Sequence, residues 1–288
     1  MTTTTRDRAD RCPGVFRPWP ADDGALVRLR PAGGRLTTRA LLDLVAVSER
    51  YGDGRVHLTA RANLQLRAMP LHAGNLSAEV VAAIEATGLL PSRTHELVRN
   101  IMASPQTGLA GGLAHLRPWV EELDRLLCAD ARLAELPGRF LFVLDDGRGD
   151  LVDRTLDLGL VAVSPAAAQL RVGSHGWGAM LPLDKAPQAL VDLAHRFLDV
   201  RGEGPTTAWH VDELDLPLEP PCTRYPSTLV TQPPLAAGPV PGGHHHVAPE
   251  GIVDRAFAER VAQHADVVVV TPWRGLLTPT VRTAGAGR

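Results

Sequence analysis

Five arginines fall where strands are expected to end or turn. They are Arg28 and Arg30 in "GALVRLRPAGG", Arg61 in "HLTARANLQL", Arg99 in "LVRNIMASP" and Arg139 in "LPGRFLFV". A guanidinium is a planar fork that pairs bidentately with one carboxylate. A set of them suits a ligand that carries several carboxylates. Strand alternation puts Arg28 and Arg30 on one face, and Asn100 stands beside Arg99. A sixth arginine, Arg274, occurs in "VVVVTPWRGLLTP", some 200 residues after "RVHLTARANLQL". Both stretches run β-rich residues, then Thr, then Arg two or three residues on. Solvated surface arginines are the competing reading, because the chain's 30 basic residues include a single lysine, Lys185. An arginine therefore carries weight only through its setting.

Other chemistries leave weaker traces. In "HHH", residues 244–246, neighbours on an extended segment point to opposite faces, so only His244 and His246 could share a metal. A polar loop is the plainer reading, and no metal site is assigned. His57, His95, His175, His210 and His264 have no ligand spacing. "DDGRGD" lacks the twelve-residue calcium pattern and its closing Glu, and reads as a turn. No G-x-G-x-x-G follows a strand, and there is no P-loop. Cys12, Cys128 and Cys222 lie far apart, so a disulfide framework is not expected and a reducing cytoplasm is.

The elements that must carry these residues follow from periodicity. Ala25, Val27 and Leu29 alternate with Leu26, Arg28 and Arg30, which predicts a strand with one polar face. Gly33-Gly34 marks a turn. Thr37 or Thr38 caps a helix whose Leu41, Leu44, Val45 and Val47 form an apolar stripe. Two strands, "RVHLTA" and "NLQLRAM", join at Arg61-Ala62. A helix near 77–87 is capped by Ser77 and stopped by Gly88. This order predicts a small α+β half-domain over 12–95. Strand, helix and hairpin recur over 238–283, with Pro249 opening the helix and Val253, Phe257 and Val261 on its apolar face. Two halves that each expose an apolar sheet face would pair to bury it. The expected fold class is therefore α+β, with two pseudo-symmetric half-domains pairing into one domain. Residues 96–215 read as an inserted α/β domain, with a helix over 109–128, strands in "RFLFVLDD", "LGLVAV" and "AQLRVG", and a helix in "APQALVDLAHRFLDV". Residues 216–237 are proline-rich and read as a linker.

Bulk properties exclude some classes. A net charge of −2 gives no electrostatic case for nucleic acid or an anionic membrane. No run approaches the roughly 20 apolar residues that cross a bilayer. "MTTTTRDRADRCPG" lacks the apolar core of a secretory signal.

The stretches "DRCPGVFRP", "GALVRLRPAGGRLT", "YGDGRVHLTARANLQLRA", "LVRNIMASP", "ELPGRFLFVLDDG" and "VVVVTPWRGLLTP" together resemble the sulfite/nitrite reductase superfamily. They span residues 10–280 in the family's order. "RCPG" and "TPWRG" resemble the precorrin-3B synthase branch of aerobic cobalamin biosynthesis more than the assimilatory reductases. The resemblance implies two ferredoxin-like half-domains about a pseudo-twofold axis, an inserted α/β domain of the sulfite/nitrite reductase type, and a cradle for a siroheme-like tetrapyrrole edged with carboxylates. By the match, Arg28 or Arg30, Arg61, Arg99 with Asn100, and Arg139 correspond to macrocycle-binding positions, and Arg274 is the second half's counterpart. The implied activity is that of an oxidoreductase, an oxygen-dependent hydroxylation with lactone formation on precorrin-3A; no catalytic residue is identified. Arg139 stands where relatives often have Lys. Leu141 stands where reductases have a second Lys, which weighs against sulfite reduction. Family enzymes continue into a region with C-x5-C and C-x3-C that binds a [4Fe–4S] cluster, and neither spacing occurs here. Iron and the cluster are thus implied by the family without a motif in this chain. A separate iron–sulfur or electron-donor protein is an expected partner. A siroheme-dependent nitrite or sulfite reductase fragment and a non-catalytic tetrapyrrole-binding protein are the alternatives.

Overall fold

The computed structural model describes residues 10–280. The first half runs β1 (Trp19–Ala21), β2 (Gly24–Leu29), β3 (Arg35–Thr37), α1 (Thr38–Tyr51), β4 (Val56–Leu58), β5 (Leu64–Met69) and α2 (Ala78–Ala86). The insert runs β6 (Ile101–Ala103), α3 (Arg117–Ala129), β7 (Phe142–Asp145), β8 (Leu158–Ser164), β9 (Ala167–Val172), β10 (Gly176–Pro182) and α4 (Ala186–Val200). The second half runs β11 (Gly238–Val240), β12 (Gly243–Val247), β13 (Ile252–Val253), α5 (Arg255–Ala262), β14 (Val267–Thr271) and β15 (Gly275–Pro279). Residues 281–283 of the expected second half lie outside the described residues.

Local chemistry sets the helix ends. Orphan N–H groups at helix starts are taken up by Thr37, Ser77 and Asp254, whose side chains accept from Ala40, Val80 and Phe257. Asp254, not Pro249, therefore starts α5. Pro249–Gly251 forms a single 3-10 turn, and Val253 lies in β13 rather than on the helix. The helix expected over 109–128 begins only at Arg117. Gly108, Gly111 and Gly112 have φ of 70°, 63° and 73°, which a right-handed helix does not admit.

The two halves exchange strands. Their sheets are ordered β1-β2-β5-β4-β13 and β11-β12-β15-β14-β3. Thus β13 of the second half closes the first sheet, pairing Ile252 with His57 and Val253 with Val56. In return β3 closes the second sheet, pairing Leu36 with Val268. One compact unit results, holding Pro13–Glu96, Leu109–Gly111 and residues 234–280. Leu29, Leu41, Leu44, Leu64 and Leu66 share its core with Val268, Val270 and Leu276. The fold class is the expected one: α+β, with two pseudo-symmetric halves paired into one domain. The symmetry reaches single residues. Gly33 and Glu250 take φ of 60° and 55° in matching turns. The glycines that follow press on the other half's backbone. A Cβ on Gly34 would lie 2.5 Å from Val270 O, and one on Gly251 would lie 3.2 Å from Leu58 O.

The other unit holds residues 10–12, 97–108 and 112–233. Its sheet is ordered β10-β9-β8-β7-β6, parallel across β6, β7 and β8 and antiparallel beyond. Phe140 packs against Phe142 and Phe197 at ring separations of 5.3 and 5.0 Å. Residues 216–233, expected as linker, belong to this unit. Cys222 N donates to Trp177 O at 2.7 Å, Tyr225 N to Gln169 Oε1 at 2.8 Å, and Gln232 N to Gly149 O at 3.1 Å. Prolines remove ladder donors from this stretch, but these three N–H groups still find partners on the unit. Among the described residues, no helix is long and apolar enough to cross a membrane.

Candidate functional site

Within the first sheet, β2 turns Ala25, Val27 and Leu29 into the core and Arg28 to the other face. Arg28 stays half-buried, and its Nη2 donates to Gln65 Oε1 on the neighbouring strand at 3.2 Å. Arg30 differs. It is 2% exposed, and its guanidinium donates to Glu96 O and Pro13 O, each at 3.1 Å. It follows the last residue of β2, where Pro31 ends the strand, and it ties the segment at Pro13 to Glu96. Glu96 accepts from Val15 N and Phe16 N in the same junction, and burial pushes its carboxyl above the usual range. The structure thus gives Arg30 a structural task.

Arg61 and Arg274 lie in matching turns, offset by one residue. Ala62 N donates to Thr59 O at 3.0 Å, and Arg274 N donates to Thr271 O at 3.1 Å. Ala62 and Arg274 share the left-handed conformation, with φ of 56° and 57°. Arg274 is therefore the equivalent of Ala62, and Trp273 is the equivalent of Arg61. The offset is present in the sequence: Arg61 is the second residue after its Thr, Arg274 the third. Trp273 is the residue that sequence reasoning missed. Aligning the repeats on their threonines would have found it. Arg61 is half-buried and Arg274 exposed.

In the insert unit, Arg99 is 6% exposed and grips Asp124 of α3 with both arms, each at 2.7 Å. Asn100 is 1% exposed; its amide donates to Phe140 O at 3.2 Å, and its carbonyl accepts from Phe142 N. Both residues join β6 to α3 and β7. The structure engages both groups within this unit, and Arg99→Ala tests the ligand role that the resemblance implied for Arg99. Arg139 remains half-buried at the start of β7. Leu141 is buried among Met102, Val143, Leu151 and Leu156.

The acidic turn after β7 holds itself together. Asp145 accepts from Gly147, Gly149 and Leu151 N, each at 2.9 Å, and Asp146 pairs with Arg148. Asp150 accepts from Ser104 Oγ at 2.6 Å. Burial first, and the Asp145 charge second, push Asp150 up to about 7. Its proton is thus kept in the fold well above the usual carboxylate range. Stability from this group is full below about pH 4 and lost as pH rises through 7. Asp150→Asn is expected to raise stability at pH 8 by roughly 1–3 kcal/mol, the scale of a poorly compensated buried carboxylate, and by less at pH 5. Urea unfolding at the two pH values checks this.

His244 and His246 share a face of β12 with ring centroids 4.4 Å apart and planes tilted by 34°, and His264 stacks at 5.6 Å from His246. His245 points the other way, to Thr271 Oγ1 at 3.0 Å. Burial, then the charges of His244 and His264, lower His246 to about 4. This group is neutral in the fold, so its stability contribution is full above about pH 6.5 and lost as pH falls towards 4. The thermal midpoint should fall across that window, and less steeply in His246→Gln, as read by circular dichroism.

Among the described residues, no three His, Cys, Asp or Glu side chains are arranged to hold a metal ion. A [4Fe–4S] cluster takes four thiolates or equivalents. Cys12 and Cys128 are half-buried and Cys222 is exposed, and three thiols do not fit that group. In the pseudo-symmetric unit Arg28 and Arg61 are half-buried and Arg274 is exposed.

Residues 20–84 match the nitrite/sulfite reductase ferredoxin-like half domain. The chain is 32% identical over 176 residues to a precorrin-3B synthase of Sinorhizobium sp, a match covering 60% of this chain and 37% of the relative. It is 29% identical over 180 residues to a ferredoxin–nitrite reductase of Leptolyngbya laminosa, covering 60% and 34%. The matched region is about a third of the length of these curated relatives. The structure of the Mycobacterium tuberculosis NirA protein shares the fold, with a TM-score of 0.69 over 95% of this chain and 60% of that one at 18% identity.

Proposed function

We propose that this chain binds a tetrapyrrole bearing several carboxylates and serves an oxidoreductase reaction of the precorrin-3B synthase type. The carrying observation is the pair of matching turns that present Arg61 and Arg274 at or near the surface of one pseudo-symmetric unit. The likeness to precorrin-3B synthase supports precorrin-3A as the substrate. Arg28, Arg61 and Arg274 of the pseudo-symmetric unit would hold its carboxylates and orient the ring. Arg30, Arg99 and Asn100 would stiffen the segments they join. A separate iron–sulfur protein is the proposed electron donor, and no residue of this chain is assigned to such a group. Three free cysteines suit a cytoplasmic setting.

A siroheme-dependent reductase is the second reading, supported by the nitrite reductase relative. It is the weaker one because Leu141 is apolar, buried and packed among apolar neighbours, so this position offers no cation to a small anion. Binding of the macrocycle without turnover would leave a carrier.

The test is an absorption titration of anaerobically purified chain with siroheme and with precorrin-3A, with iron and acid-labile sulfide assayed on the same sample. Saturable band shifts at micromolar ligand support the proposal. Spectra that equal the sum of protein and free ligand would overturn it.

A further inference from the structure

A cavity of ≈230 Å³ opens in the insert unit beside the β9–β10 hairpin and residues 211–221. Trp177, Leu214 and Leu216 are among its apolar walls. Its charged residues are Asp212, Asp215 and Glu219, and no basic residue lines it. Two of these carboxylates are held in place by main-chain donors. Asp212 Oδ1 accepts from Ser174 N at 2.9 Å, and Glu219 Oε1 accepts from Ala179 N at 3.2 Å. His210 Nδ1 accepts from Asp212 N at 3.0 Å and lies 3.3 Å from Asp212 Oδ2, so Asp215 and Glu219 are the acids with no basic neighbour among the lining residues. The nearby guanidiniums donate to oxygens outside the cavity, and the Arg171 charge also acts on Asp212. Arg171 donates to Val152 O and Ser174 O, Arg224 donates to Thr228, and both stack on Trp177 at 4.9 and 4.7 Å. The mouth is partly apolar, since Leu216 is 77% exposed.

We infer that this cavity docks an arginine side chain of a partner polypeptide. Charge complementarity names the cation. Carboxylates held at fixed orientation favour a planar fork over the point charge of lysine. The arginine stem is apolar and can lie along Leu214 and Trp177 while its head meets the acids. Leu216 offers a flanking contact that a free metabolite would not use. Ordering costs are lowered because two of the three acids are already oriented. The inference is independent of the tetrapyrrole reading.

The test uses the full chain with its tryptophan indoles labelled for NMR, Trp177 being assigned through Trp177→Phe. The probes are Ac-Leu-Arg-Leu-NH2 and its neutral citrulline analogue. The arginine peptide should shift the Trp177 indole signal saturably. The citrulline peptide should bind about tenfold more weakly, the loss of about 1.4 kcal/mol. Asp215→Asn with Glu219→Gln should weaken the arginine peptide to a similar degree while the spectrum stays dispersed. Equal affinity for the two peptides, no saturable shift at Trp177, or undiminished affinity in the double variant overturns the inference. So does calcium chloride reproducing the shift and displacing the peptide, since the acids would then serve a metal ion. The comparison of the two peptides on the unaltered chain needs no variant to fold.

Discussion

Replacing Arg99 with alanine is expected to destabilise the insert unit by about 2–3 kcal/mol and to leave tetrapyrrole affinity of the folded protein unchanged. Arg99 and Asp124 form two parallel bonds of 2.7 Å, with side-chain exposures of 7% and 21%. Removing one partner of a buried pair leaves a desolvated charge, which costs about 3–5 kcal/mol when burial is complete. Asp124 keeps some water, so the low end applies. Asp124→Ala should cost a comparable amount. The double variant should recover at least about 1 kcal/mol, because two residues that share one interaction are not additive. Urea unfolding of the four proteins gives the cycle. The resemblance alone implies the opposite pattern: unchanged stability and lost affinity. That pattern would return Arg99 to the ligand.

The contrast shows where the sequence was legible. The alternation in β2, the Thr37 and Ser77 caps and the β14–β15 hairpin are local signals, and each appears where expected. Whether an arginine is free or committed is not a local property. Arg99 is committed by Asp124, 25 residues away on a helix. Arg30 is committed by main-chain carbonyls at Pro13 and Glu96. Neither partner is marked by spacing. The exchanged strands β3 and β13 have three and two residues, too few to show a period of two, so the pairing of halves was expected but the strand exchange was not. Residues 216–233 read as linker because prolines erase periodicity. Proline does not prevent an extended segment from packing, and Leu218 and Thr228 are buried there. The one-residue offset between Arg61 and Arg274 was legible from the two threonines, but similarity of composition hid it.

Arg61→Ala and Arg274→Ala should each weaken binding of a carboxylate-edged tetrapyrrole by about 1.5–3 kcal/mol, a loss of roughly tenfold to over a hundredfold. The reasoning rests on the proposed function and on the turns. Each arginine lies at the bend between two strands, Arg61 half-buried and Arg274 exposed. The two sites can be separated from folding effects because their backbones differ. Arg61 is not among the residues with positive φ, and alanine is tolerated there. Arg274 holds a φ of 57°, a conformation costly to any residue with a Cβ. Arg274→Gly removes the guanidinium and the strain together. It should leave stability unchanged or raise it by up to about 1 kcal/mol, even after losing the stem that covers Gly251. Stability at or above the parent with affinity reduced as in Arg274→Ala would assign the loss to the lost cation. Arg274→Lys keeps the charge but not the fork, and should recover part of the affinity. Uroporphyrin III, with eight carboxylates and no iron, is the probe, and quenching of protein fluorescence is the readout. Parent-like affinity in both Arg61→Ala and Arg274→Gly would remove the turns from the binding surface and leave Arg28 as the remaining cation to test.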